Sequence, residues 1–149
     1  SCTLLAPAAS VALFESHYYP YLISRPDAFG IENMQLFNLN DRLERDDNVG
    51  QIYRKSLLYL VSHGFEEAVP EAILGMQKHV DELLNKPKMD AVRGRFDVHY
   101  ADGTPSGLTE STSHGGFDND VATMNSLLRT ILGNEPAPGK RFTREILDY

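Results

Sequence analysis

The length of 149 residues fits one compact domain, and the balance of 42% hydrophobic to 23% charged residues is too apolar for a disordered chain. A net charge of −7 argues against a nucleic-acid partner, and the nearest basic cluster, Lys140, Arg141 and Arg144, is diluted by Glu145 and Asp148. No apolar run approaches the roughly 18 to 20 residues of a membrane span, and no basic-then-apolar leader opens the chain, so export is not expected.

Ser1 begins abruptly inside an apolar segment, which leads us to expect that further sequence precedes it. Within that segment Thr3 to Ala6 reads as a buried strand closed by Pro7, whose missing donor stops the ladder. Cys2, the only cysteine, cannot form an intramolecular disulfide; it reads as a small buried hydrophobe and favours a cytoplasmic protein or one indifferent to redox state. Ser10 is expected to cap a helix through Val11, Leu13, Phe14, His17 and Tyr18 that Pro20 and Pro26 interrupt. Met34 to Asn40 alternates apolar and polar residues, the pattern of a strand with a polar exit, and Asn40 to Asp47 reads as a loop.

Asp46, Asp47 and Asn48 offer caps to a long helix with Val49, Ile52, Tyr53, Leu57, Leu60, Val61 and Phe65 on its apolar side and Gly64 near its end. A further helix is expected from about Met76 to Leu84, ahead of Pro87. Arg95 to Tyr100 alternates with period two, a strand that runs out into the turn-rich Asp102 to Gly107. The loop from Ser111 to Gly116 then leads into a helix capped by Asp118 or Asp120, with Val121, Met124, Leu127, Leu128 and Ile131 inward and Gly133 as its stop. Residues 134–149 read as a Pro/Gly linker and a short terminal segment, leaving 1–133 as the domain. Strands separated by helices imply parallel pairing, hence an α/β class with about three parallel strands and flanking helices.

Two loops that follow expected strands carry titratable groups: Asn40 to Asp47, and Ser113-His114-Gly115-Gly116. Open α/β sheets bind ligands at the carboxyl ends of their strands, where an acid can orient an imidazole that serves as general base. Asp41 also has a purely local reading as a turn cap, and Asp46 and Asp47 as helix caps. His114, flanked by two glycines, can equally be the corner of a tight turn. The other histidines, at positions 17, 63, 79 and 99, show no metal-ligand spacing, and Asp118-Asn119-Asp120 lacks the glycine and distant glutamate of a calcium loop, so no metal is expected.

In the order of these features the chain resembles the C-terminal half of an α/β-hydrolase domain. Leu4-Leu5-Ala6-Pro7 is similar to the strand that follows the nucleophile elbow, Met34 to Asp41 to the acid-bearing strand, and Phe96 to Tyr100 with Ser113-His114-Gly115-Gly116-Phe117-Asp118 to the last strand, histidine loop and closing helix. The resemblance implies a partial α/β-hydrolase fold in a serine esterase or lipase, with His114 as base and Asp41, ahead of Asp46 and Asp47, as triad acid. It implies an ester or other acyl substrate, no cofactor, and an apolar pocket or lid contribution from Tyr18, Tyr19 and Tyr21. The chain departs from the pattern in having no Gly-x-Ser-x-Gly elbow; the nucleophile is expected upstream of Ser1, and the chain alone is expected to be silent. His114-Gly115-Gly116 is also similar to an esterase oxyanion motif, but no elbow follows it, so that placement is rejected. The competing reading is a non-catalytic α/β module that pairs through its first strand, with another chain or with a second copy of itself.

Overall fold

The computed structural model describes residues 1–24, 30–47, 56–64, 70–105 and 107–147. Its centre is a parallel sheet of three strands, β1 (Cys2–Leu5), β2 (Met34–Leu39) and β3 (Phe96–Ala101), in the order β1-β2-β3. Leu4 lies opposite Leu36, and Leu36 opposite Val98, so the chain returns to the same end of the sheet before each new strand. The class is therefore α/β, as the alternation of elements implies.

The central strand β2 divides two apolar layers. Met34 and Leu36 face Val11, Phe14, Leu22, Leu74, Val80 and Leu83, whereas Phe37 and Leu39 meet Ala101, Phe117 and the half-buried Leu127. Every residue of β2 except the half-buried Gln35 is fully buried, as befits a strand covered on both faces. Each such Leu or Phe contributes roughly 1.5 to 3 kcal/mol by leaving water.

The first layer is built by the segment after β1. Ser10 caps α1 (Val11–Leu13) by accepting the Leu13 N–H at 3.0 Å, as the sequence suggests. A π-turn (Phe14–Tyr18) follows, and then α2 (Tyr19–Ile23). Pro20 does not interrupt this run: it sits in the first turn of α2, where its missing N–H costs nothing and its fixed φ suits the helix. Pro26 lies outside the described residues. On the same side α5 (Gln77–Leu84) buries Val80 and Leu83, close to the bounds expected for it.

Asn40 to Asp47 is not a loop but holds a helix, α3 (Asp41–Asp46), because the Asn40 Oδ1 accepts the Leu43 N–H at 2.9 Å. Asp47, read from the sequence as a possible N-cap, closes α3 at its C-terminal end, and Asp46 is the last residue of that helix. The expected long helix is described only as α4 (Leu57–Gly64); Val49, Ile52, Tyr53 and Phe65 lie outside the described residues. Its inward face is also different from the expected one. Leu58 and Ser62 are buried, while Leu57 and Leu60 are exposed, because α4 packs on Ile73 and Met76 rather than on the sheet. Close approach there depends on Gly75: a Cβ at this position would stand 2.5 Å from Leu58 Cδ1 and 2.6 Å from the Pro7 carbonyl oxygen.

The second layer is α6 (Val121–Leu132), capped by Asp120 rather than Asp118 and stopped by Gly133 in a left-handed conformation at φ 68°. Thr130 Oγ1 donates to Gln35 Oε1 at 2.8 Å and ties α6 to the sheet. The tail is docked on α6 as well. Asn125 accepts the Phe142 N–H at 2.9 Å through Oδ1 and donates to its carbonyl at 3.0 Å through Nδ2. Glu135 pairs with Arg129 and Arg141, and α7 (Arg144–Leu147) buries Leu147.

Candidate functional site

The parallel register brings the ends of β2 and β3 level, with Leu39 opposite Ala101, and the Asn40 N–H donates to the Ala101 carbonyl at 2.9 Å. Whatever follows these strands therefore leaves from one edge, the carboxyl edge where α/β sheets place ligands. After β2 that is α3, pinned to the β3 exit by Arg42 Nη2, which donates to the Asp102 carbonyl at 2.7 Å. Helical spacing puts Glu44 and the cap residue Asp47 three positions apart, on one side of α3.

After β3 the chain reaches a single 3₁₀ turn, His114–Gly116, held by the Gly116 N–H on the Ser113 carbonyl at 3.1 Å. Gly116 sits in tight space: a Cβ would lie 2.9 Å from both the Ser111 and Ser113 hydroxyl oxygens, which would have to turn aside. Asp120 then fastens the stretch before the turn to the start of α6. Its Oδ2 accepts the Glu110 N–H at 2.7 Å, the Thr123 N–H at 3.1 Å and the Thr123 hydroxyl at 2.5 Å. Phe117, fully buried, anchors the other side.

These two segments meet. The His114 backbone N–H donates to Asp47 Oδ2 at 2.9 Å. The ring lies between two carboxylates, with Nδ1 at 4.0 Å from Asp47 Oδ2 and Nε2 at 3.7 Å from Glu44 Oε1. Glu44 is wholly buried and accepts the Ser56 hydroxyl on Oε1; its Oε2 and both ring nitrogens of His114 have no hydrogen-bond partner among the described residues. Burial pushes the Glu44 carboxyl up to about 7, helped by the nearby charges of Asp47 and Asp41 and opposed by the Ser56 hydrogen bond. Burial lowers the affinity of His114 for its proton, and Asp47 opposes that shift. The imidazole is thus neutral at pH 7, the form in which it can accept a proton.

No family model, no curated protein and no solved structure matches this chain. What the site can do rests on its own chemistry.

The residues singled out from the sequence are distributed as follows. His114 stands at the sheet's carboxyl edge. Asp41 is in the first turn of α3, where its N–H donates to Gln77 Oε1 at 2.8 Å and its carboxylate lies 3.7 Å from Arg45; Glu44 and Asp47, and not Asp41, stand within 4 Å of the ring. Asp120 is committed to capping. His63 and His79 are held by backbone groups, His17 by Ser16, and His99 lies against the Phe37 ring at 4.8 Å. Among the described residues no group of three His, Cys, Asp or Glu side chains could hold a metal ion. Tyr19 donates to the Lys88 carbonyl at 2.7 Å and Tyr18 stacks near Phe14, so both belong to the α1 layer, while Tyr21 is exposed. A cleft of about 270 Å³ flanks the histidine loop, lined by Ser111, Thr112, Gly116, Asn119 and Arg144 among others, but His114 is not part of its wall.

Glu44 and Ser56 are the site residues that sequence reasoning passed over. A signal for Glu44 existed: taking Asn40 as an N-cap places residues 44 and 47 on one helix face, and a loop reading discards that spacing.

Proposed function

We propose that this chain carries the acid and histidine of a serine-hydrolase-type site, acting on an ester or other acyl bond, within a partial α/β-hydrolase fold. The observation that carries the reading is the meeting of Asp47, after β2, with His114, after β3, at the carboxyl edge of a parallel sheet. In this reading a serine from outside these 149 residues attacks the acyl carbon, and His114 takes its proton at Nε2. The imidazole then returns that proton to the leaving group. Asp47, in the role the resemblance assigned to Asp41, faces Nδ1 and stabilises the imidazolium. The test is to express the longest reading frame that contains this chain, alongside the 149-residue chain, and to measure p-nitrophenyl ester hydrolysis with and without His114→Gln. The long form should lose about 10²- to 10⁴-fold in kcat on substitution, and the short chain should be silent. His114-dependent hydrolysis by the short chain, or hydrolysis by the long form that ignores the substitution, overturns the reading.

One observation favours a second reading, a module that assembles through its first strand. Within the described sheet β1 has a single hydrogen-bonded neighbour, and all four of its residues are only half-buried. Sedimentation of the chain at high concentration should then show a dimer that a proline at Thr3 dissolves; a monomer at all concentrations removes this reading.

A further inference from the structure

Two deficits meet in the site: the buried carboxyl of Glu44, which the acyl-transfer mechanism does not use, and the unpaired ring of His114, which is its base. Glu44 is fully buried beside two other carboxylates of α3, Asp41 and Asp47, and has one oxygen without a partner among the described residues. The imidazole of His114 is largely buried, and neither of its nitrogens has a hydrogen-bond partner among the described residues. An isolated carboxylate is costly in such surroundings, and so is a ring with unmet donor and acceptor. The geometry offers a remedy for the ring: Glu44 Oε1 stands opposite Nε2 at 3.7 Å, somewhat beyond a hydrogen bond, and retains a lone pair after accepting Ser56, so a small approach of the two side chains pairs them.

We propose that Glu44 is a positioning residue that latches His114 from the Nε2 side, the buried carboxyl and the ring sharing one proton that keeps the base nitrogen turned inward. Once the two atoms close from 3.7 Å to hydrogen-bond distance, the exchange is a proton shift from Oε1 to Nε2 and back, in which no bond between heavy atoms changes and the pair stays neutral as a whole. Asp47 faces the other nitrogen at 4.0 Å and binds the His114 backbone N–H, so carboxyl groups flank the ring on both sides. This inference deepens the acyl-transfer reading and rests on it for its consequence: the nucleophile can reach Nε2 only after Glu44 lets go. The groups that set the balance are Asp47 and Asp41, whose charges keep the proton on Glu44, and Ser56, whose hydroxyl favours the carboxylate. On the ring, Asp47 favours the charged form against burial.

The experiment reads the ring itself. The full chain, labelled with ¹⁵N on histidine, is titrated from pH 4.5 to 9 while the two ring nitrogens of His114 are followed by NMR, the signals being assigned with His114→Gln. A shared proton gives the His114 nitrogens two inflections, the upper one belonging to the carboxyl. In Glu44→Gln the upper inflection should vanish and leave a single titration. In Ser56→Ala, which keeps the carboxyl but removes the hydroxyl that favours its ionised form, the upper inflection should move to higher pH. Ring titrations that superimpose in the parent chain and in Glu44→Gln overturn the latch. Should that variant fail to fold, an upper inflection absent from the parent chain, or unmoved in Ser56→Ala, overturns it equally. None of these readouts involves an ester, so failure of the hydrolase reading would leave them unchanged.

Discussion

Replacing Glu44 by glutamine tests the electrostatics of the site through stability. In the folded chain the carboxyl titrates at about 7 against 4.5 for the free group, because burial penalises its charged form. A raised pKa means that the native state holds this proton more tightly than the unfolded chain does. The stabilisation it brings is therefore complete below pH 4.5 and is lost as the pH rises through 7. With side-chain exposure of 0% there is no solvent screening to discount. Integrating over the two titrations, the parent chain should lose roughly 2 to 3 kcal/mol between pH 5 and pH 8 that Glu44→Gln does not lose. Glutamine is nearly isosteric and can still accept from Ser56, so any fixed packing cost cancels when the two pH values are compared. Urea unfolding of both proteins at pH 5 and pH 8 gives the four free energies required. His114 works in the opposite direction: its lowered pKa gives stability that is present above pH 6.5 and lost as the pH falls, and a His114→Gln background removes that contribution from the comparison. A double difference smaller than about 0.5 kcal/mol, well under the expected shift, would show that Glu44 ionises as freely as a surface glutamate and that burial does not hold its proton.

Other substitutions probe the scaffold. Asp120→Ala removes the cap of α6 together with the bonds from Glu110 and Thr123, and should cost about 2 kcal/mol by chemical denaturation, with the amide of Glu110 exchanging faster. Gly75→Ala drives a methyl group into Leu58 and the Pro7 carbonyl; backbone is on one side, so about 3 kcal/mol is expected and the thermal midpoint should fall by several degrees. Gly133→Ala meets no neighbour, and its cost of about 1 kcal/mol should come from the left-handed backbone alone, a difference that the same denaturation assay separates from the Gly75 variant. Phe37→Ala opens a cavity in the layer between β2 and α6 and should cost 3 to 5 kcal/mol, read from urea midpoints.

The strands were legible in the sequence because their signal is local. Period-two alternation and bounding turn residues locate β2 and β3 within a residue or two, and the caps Ser10 and Asp120 with the stop Gly133 announce their helices. Two kinds of information were not local. Whether Pro20 breaks or begins a helix depends on the π-turn before it, which no pattern of apolar residues encodes. Which face of α4 is inward depends on Ile73 and Met76, contributed by a later segment. The site divides along the same line. His114 was marked by its place between strand and helix, whereas choosing among the acids required the direction of α3, set by the bond from Asn40 to Leu43 and by Arg42 reaching across to β3.

The paired bonds between Asn125 and the backbone of Phe142 bear on how this protein can be shortened. A version cut after Gly133 would keep every described strand and the whole of α6, yet it would take both Phe142 bonds from the Asn125 amide, leave its Oδ1 without that donor and remove Leu147 from its seat. The smallest piece worth producing therefore extends through residue 147, and a purification tag is better joined by a spacer beyond that point than grafted onto the end of α6.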